Sequence, residues 1–492
     1  MNRRLTCVAA AVALALAAPG IAMTAEVRAS DDPDLDEVVV YGRGERLIGE
    51  ARAASEGTVG GADLGVRPLL RVAELLEVVP GLIAAQHSGS GKANQYFLRG
   101  FNLDHGTDFA AYVDDVPMNL RTHGHGQGYL DVNGLIPELV DRIDFRKGPY
   151  RADIGDNALA GASFLTTIKR FDRPFVSVEG GQYGWIRAAA GGTHEMGGGE
   201  LTGIAQWKSY DGPWELKEDL KHFSGFAKYS HPTDFGNWEA SFSTYVATWR
   251  PTEQIPERAI GTPICADAFC ALDTSATGTT VRHIGTVRLT GDDWRATVYS
   301  QFYNWNMYSD STYDFQIRQW DRRFIHGARG QKQFKLSDSL ELTTGAETRL
   351  DDIGKVQVDH TDQRRFIDYV AAHRARELSV AGFTEATWHP TDQLRVMAGA
   401  RADYFDFHTR ATKPGFLGGD SNDSTLSPKV ALAWQVSDNV ETYANWGRGF
   451  HSNDSRGVTA SVPPVPGLVK GEGEETGARY QHGDFSITAT YW

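Results

Sequence analysis

Two histidines separated by one residue, His123 and His125, stand in the stretch Asn119-Leu120-Arg121-Thr122-His123-Gly124-His125-Gly126-Gln127-Gly128-Tyr129. Alternate side chains of a strand share a face, so a His-x-His pair on a strand would point both rings the same way. Neutral imidazole is a common metal ligand. His105, His123 and His125 are the candidate metal ligands, with Asp104 and Asp108 as further donors nearby in sequence. The alternative is that glycine alternates for backbone conformation while the imidazoles hydrogen-bond a ligand or neighbouring loops. No cysteine joins the cluster, and the spacing is not that of a standard zinc site. No convergent nucleophile and base, and no paired acids, accompany it. An enzyme is not expected, and neither is a resident cofactor.

The elements that must position these residues are short. Leu69, Leu70, Val72, Ala73, Leu75, Leu76 and Val79 recur at spacings of three and four, and Pro80-Gly81 stops that helix. Gln86 to Asn94 is a Gly/Ser loop carrying His87. Strand-like runs follow at Gln95–Phe101, Phe109–Val113, Asp141–Lys147 and Ser163–Lys169, with a turn at Asp114-Asp115 and a helical turn at Leu135–Val140. Residues 50–169 therefore read as a compact α+β domain.

On either side the chain changes character. Arg3 and Arg4, an apolar run from Val8 to Ala18, the break at Pro19-Gly20 and small residues at Ala22, Ala25 and Ala29 mark a secretory signal peptide, taken as residues 1–25. Residues 26–49 form an acidic arm containing Asp36-Glu37-Val38-Val39-Val40, a string suited to adding a strand to another protein's sheet. In an exported chain Cys265 and Cys270 could close a small disulfide loop. A Cys-x4-Cys metal clip is the alternative. The net charge of −14 excludes nucleic acid as a partner, since phosphate binding needs clustered Lys and Arg.

From residue 170 to residue 492 apolar and polar residues alternate in runs of about ten, as membrane-spanning strands require. Val298 and Phe302 alternate with Thr297 and Gln301, and Leu394 and Val396 with Arg395. Short turns at Gly291-Asp292-Asp293, Ser337-Asp338-Ser339, Pro390-Thr391-Asp392 and Ser437-Asp438-Asn439 alternate with long polar stretches. Those stretches lie near 250–280, 305–322, 351–375, 407–424 and 451–470, and read as loops. Trp294, Trp305, Trp388, Trp434 and Trp446 fit interfacial girdles. The count is about 15–16 strands.

Taken in order, these segments resemble a TonB-dependent outer-membrane receptor. Asp36, Glu37, Val38, Val39 and Val40 resemble its TonB box. Leu98-Arg99-Gly100-Phe101 and Tyr112-Val113-Asp114-Asp115-Val116-Pro117 resemble plug motifs, with Asp115 where Gly is usual. Val140 to Pro149 resembles the segment that normally ends Arg-Gly-Pro, with Lys147 in place of that Arg. Ala160-Gly161-Ala162-Ser163 and Trp446-Gly447-Arg448-Gly449-Phe450 complete the series.

The resemblance implies an α+β plug domain inside a transmembrane antiparallel β-barrel, in the outer membrane of a Gram-negative bacterium. The family has 22 strands, so the shorter count, with the cost of an unpaired edge in lipid, reads as a C-terminal truncation. The implied partners are TonB with its ExbB/ExbD motor, outer-membrane lipid, and a small ligand. That ligand is expected to be a ferric siderophore or other metal chelate, the alternatives being an oligosaccharide, cobalamin or, more remotely, a passive porin's solutes. By position the apical plug loops would present His87, Arg121, His123, His125, Gln127 and Tyr129 to substrate. Arg99, Arg142 and Lys147 would latch the plug, with Glu347 and Glu385 as barrel partners.

Overall fold

The structure, a computed structural model, describes residues 48, 55–483 and 485–492. The signal peptide and Asp36–Val40 lie outside the described residues. Fifteen strands form one sheet in which each pairs antiparallel with its neighbours in sequence, from Phe175–Gly180 to Phe485–Tyr491. Its phase follows the alternation of the sequence. Val298 and Leu426 are 59% and 63% exposed on the outer face, while Thr297, Gln301 and Tyr303 are buried on the inner one. An outer face this apolar over so many strands suits lipid rather than water.

The inner face wraps a second, smaller sheet with strand order Glu56–Gly60, Val140–Lys147, Gly161–Thr167, Phe109–Val113 and Val116–Pro117. Gly161–Thr167 runs parallel to Phe109–Val113 and antiparallel to Val140–Lys147. Its apolar core gathers Val59, Leu75, Leu76, Tyr96, Leu98, Phe109, Ile143 and Leu165. The Asp114-Asp115 turn reverses the chain with both residues at positive φ, 46° and 67°, the geometry of a two-residue hairpin turn.

Four local expectations need correction. The helix over 69–79 is a 3-10 helix, Val72–Val78, because Val72, Leu75 and Val78 at spacing three match three residues per turn. Glu74 closes its start by accepting from the N–H groups of Leu70 and Arg71 (2.8 and 3.1 Å). The run Gln95–Phe101 is a hairpin rather than one strand, with Gln95–Leu98 paired to Phe101–Asn102 across Arg99 (φ 53°) and Gly100 (φ 81°).

The polar stretches 305–322, 351–375 and 407–424 are mainly strand. Paired strands satisfy one another's backbone groups in water as well as in lipid, so polarity there does not mean loss of strand structure. Residues 250–280 and 451–470 do carry long connections, the second holding the short helix Ser455–Ala460. Finally, Trp305 shares its parity with Tyr299, Gln301 and Tyr303 and is fully buried on the inner face, so it is no girdle residue.

Candidate functional site

The plug is fixed to the wall by buried charge pairs. Arg151, just past Gly148-Pro149, holds Glu385 through its Nε (3.0 and 3.1 Å to the two oxygens) and its terminal nitrogen (2.8 Å). The Ala152 N–H donates to the same carboxylate at 3.0 Å. Arg99 pairs with Glu475 on the wall and donates to Ser55. Lys429 donates from the wall to the Pro149 carbonyl at 2.7 Å.

The other expected latch residues do not reach the wall. Arg142 pairs with Asp144 on its own strand at 3.1 Å, because it faces the solvated side of the plug sheet. Lys147 donates to the Pro80 carbonyl at 3.3 Å, and burial lowers its ammonium. Glu347 pairs with Arg401 at 2.7 Å within the wall. Arg329 stands 3.8 Å from Glu347 and donates to the plug's Asp153 carbonyl at 2.8 Å.

Residues 121–128 form an excursion between the strand pieces Asn119–Leu120 and Tyr129–Leu130, so the His-x-His pair is not on a strand. The excursion packs against the wall. Arg121 donates to Asp156 and Ser379, both at 2.8 Å, and Thr122 meets Glu377 and Arg323. His123 is fully buried, stacked on Tyr129 with centroids 4.1 Å apart, and its Nδ1 accepts the His125 N–H at 3.1 Å. The Tyr129 hydroxyl accepts from the Ala93 N–H at 2.8 Å, and the Gln127 side chain accepts from the Asp454 N–H at 3.1 Å. Asp108 takes His451 of the wall at 2.8 Å, which removes it from the candidate ligand set.

The imidazoles nevertheless assemble. His87 stacks over His105 at 5.0 Å between centroids, and His105 lies 4.7 Å from His125. The Nε2 atoms of His105 and His125 are 3.0 Å apart. His105 Nδ1 faces the carbonyl oxygens of Ala93 and Asn94, each at 3.1 Å, and His125 Nδ1 faces the Gln319 side-chain oxygen at 2.9 Å. Burial holds all four rings neutral: His87 falls to about 4 and His105 to about 3, while His123 and His125 lie well below the ordinary imidazole range. Lys92, 3.3 Å from His87 Nε2, is pushed down to about 8, also by burial. Among the described residues no group of three or more His, Cys, Asp or Glu is already arranged around a metal position.

His87 also opens onto a cavity of about 790 Å³. The plug loop 86–90 lies on one side of it, and the long connections 181–185, 211–219 and 250–276 lie on the other. Trp185, Tyr210, Trp214 and Tyr313 supply aromatic faces, and Glu218, Glu253 and Asp273 supply acid. Arg71 is the only Lys or Arg in that lining among the described residues. Burial raises the carboxyls of Glu218 and Glu253 above the usual carboxylate range. Cys265 and Cys270 are joined as a disulfide with Cα atoms 5.6 Å apart, and Cys270 lines the cavity. Of the six residues expected to meet substrate, His87 alone lines it. Arg121, His123 and Tyr129 are enclosed by the wall and by one another.

No local pattern marks Arg151, Glu475, Lys429 or the acidic cavity lining, whose partners lie on the other domain or on separate loops. Glu218 sits beside Trp214 in a polar connection, a clue only once the plug loop carrying Ser90 is known to meet it.

Residues 50–162 match the TonB-dependent receptor plug domain, and residues 150–492 match the TonB dependent receptor-like β-barrel. Three solved structures share the fold at low identity. One is the ferric citrate transporter FecA in its unliganded form (13% identity, TM-score 0.74), matched over 87% of this chain and 68% of that one. Another is the ferric yersiniabactin uptake receptor FyuA from Yersinia pestis (17%, 0.68), over 89% and 72%. The third is the copper transporter OprC (15%, 0.69), over 92% and 72%.

Proposed function

Because the chain belongs to the TonB-dependent receptor family, we infer that it imports a scarce small ligand across the outer membrane of a Gram-negative bacterium, and that the ligand is a metal chelate. The observation that carries this reading is the 790 Å³ cavity between the plug loop 86–90 and the long connections of the wall. It is of the size that encloses a small molecule, and a plug segment forms part of its lining, so occupancy can be felt by the domain that has to move. The energy would come from TonB and its ExbB/ExbD motor, pulling on Asp36–Val40 by strand addition.

The lining narrows the chelate. Three carboxyl groups against one guanidinium repel an anionic complex and favour a neutral or cationic one. Glu218 and Glu253, whose carboxyls burial raises above the usual carboxylate range, would gain a partner as a cation arrives. Five aromatic rings, Tyr183 among them, stand beside those acids and also suit an oligosaccharide, which stacks its apolar faces on aromatic rings, and this is the second reading.

The test is equilibrium binding to cells carrying the receptor, using iron chelates of matched size but opposite charge, with unlabelled oligosaccharides as competitors. Binding of the neutral or cationic chelate, weakened about tenfold or more in Trp214→Ala, supports the reading. Preference for the anionic chelate, or displacement by sugar alone, refutes it.

A further inference from the structure

We propose that His105 and His125 form a paired-imidazole site in the plug for one late first-row divalent ion, Cu²⁺ or Zn²⁺, with Asp104 as third donor. The proposal rests on the metal-chelate reading above and adds where the metal itself would be held.

Hydrogen bonding decides which ring nitrogens are bare. His105 Nδ1 faces only carbonyl oxygens, those of Ala93 and Asn94, and must therefore carry the proton. His125 Nδ1 faces the Gln319 oxygen, and that amide is oriented by its own NH₂, which donates to the Gly124 carbonyl at 3.2 Å. His125 Nδ1 therefore also carries the proton. A neutral imidazole has one N–H, so both Nε2 atoms present lone pairs, 3.0 Å apart. Two facing lone pairs repel unless a cation stands between them. Anchoring Nδ1–H on a carbonyl while Nε2 binds metal is the usual arrangement around metal-bound histidine.

The spacing fits an ion. A ring nitrogen lies little more than an ångström from its ring centre, while the separation closes from 4.7 Å between centroids to 3.0 Å between nitrogens. For a symmetrically placed pair, the two axes then converge about 2.0 Å beyond each nitrogen, which is the usual metal–imidazole bond length. They meet at roughly 95°, between the square-planar and tetrahedral values. The Asp104 carboxylate lies 3.7 Å from His105 Nε2 and is 59% exposed, free to swing. Gly126 leaves room for it, since a Cβ there would come 3.1 Å from an Asp104 oxygen.

The Lys92 ammonium, 3.3 Å from His87 Nε2, opposes a dication. His87, stacked on His105 and lining the cavity, connects the outer vestibule with the site.

The experiment is titration of the full chain, purified in detergent, with Cu²⁺ alone and then Zn²⁺ alone, followed by calorimetry and, for Cu²⁺, electron paramagnetic resonance. One equivalent of Cu²⁺ should bind with hyperfine structure from two imidazole nitrogens, and more tightly than Zn²⁺. His105→Ala and His125→Ala should each weaken it tenfold or more, and Lys92→Met should tighten it. A wild-type readout guards against misfolded variants: Zn²⁺ should protect His105 and His125 from modification by diethyl pyrocarbonate, located by mass spectrometry. No stoichiometric binding, binding that survives both alanine variants, or no protection would overturn the proposal. Chelate uptake that persists while ion binding is absent counts against this site alone. Ion binding without uptake counts against the receptor reading alone.

Discussion

Replacing Glu385 with leucine should loosen the plug at one defined place. Glu385 is 4% exposed and takes three short contacts from Arg151 and one from the Ala152 N–H. Leucine fills much of the volume but leaves a buried guanidinium whose nearest remaining carboxylate is Glu56, 3.5 Å away. Breaking a buried pair from one side costs about 3–5 kcal/mol. Glu56 offsets part of this, so the lower end, about 3 kcal/mol, is expected. At about 1.4 kcal/mol per factor of ten, the population of locally open plug rises roughly a hundredfold. Hydrogen exchange of the backbone over residues 149–155, followed by mass spectrometry in membranes, reads that population.

Two controls sharpen the test. Glu472→Gln breaks the exposed Arg448–Glu472 pair, worth about 0–1 kcal/mol, and should leave exchange of the plug unchanged. The double variant Arg151→Met with Glu385→Leu removes both charges and should recover most of the protection, because a buried pair replaced by apolar groups costs little. Exchange in Glu385→Leu within about threefold of wild type, roughly 0.6 kcal/mol, would show that Arg151 and Glu385 do not hold the plug. So would a double variant no better protected than the single one.

Three further outcomes are expected elsewhere in the molecule. Acid should soften the plug. His87, His105, His123 and His125 have folded proton affinities below the unfolded value near 6.5, so the unfolded chain binds more protons. Stability is then full above about pH 6.5 and falls as the pH drops toward 4. Asp131, raised by burial to about 6, and Glu218 and Glu253, also raised by burial, work in the opposite direction, so the effect is read locally: hydrogen-exchange protection of residues 121–129, corrected for intrinsic rates, that does not fall from pH 6.5 to 4 would contradict the burial of the rings. Gly91→Ala should displace Trp249 and cost about 1–3 kcal/mol, because its Cβ would stand 2.0 Å from that fully buried ring; unchanged near-ultraviolet dichroism and melting would argue otherwise. Val39→Pro removes a ladder donor from the arm and should abolish uptake while surface binding persists, and normal uptake would remove Asp36–Val40 from the mechanism.

The wall was legible because one physical rule, two solvents on two faces of a strand, writes a period of two into every strand. The same rule could have placed Trp305, whose parity is that of Tyr299, Gln301 and Tyr303, and position near a strand end was the weaker cue. The extent of the strands was not legible, since strands that continue into water lose their apolar face while keeping their ladder. Within the plug, the turn at Asp114-Asp115 was visible in residue type. The break at Arg99-Gly100 was hidden because Arg99 takes a left-handed backbone in a fold where Glu475 holds its side chain. The chemistry was legible only in part. His105, His123 and His125 could be picked out as a group, but their division into a facing pair and a buried support depends on Ala93, Asn94 and Gln319, which no local pattern connects to them. The latch shows the limit most clearly, because Arg151 and Glu385 are 234 residues apart.

The strands Leu340–Asp362 and Arg365–Thr391 form a hairpin of 23 and 27 residues closed by two residues. At about 3.3 Å per residue and a tilt near 40°, the longer strand rises about 70 Å along the membrane normal, of which the lipid accounts for about 25 Å. About 45 Å therefore lies outside the lipid, paired to its tip with register shifts at Ile353/Val356, Val358/Asp359 and His360/Thr361. A flexible loop of that length would absorb a push at its end. A laddered hairpin carries the push down as a lever, and Ser379 and Glu385, partners of Arg121 and Arg151 in the plug, lie on that same strand.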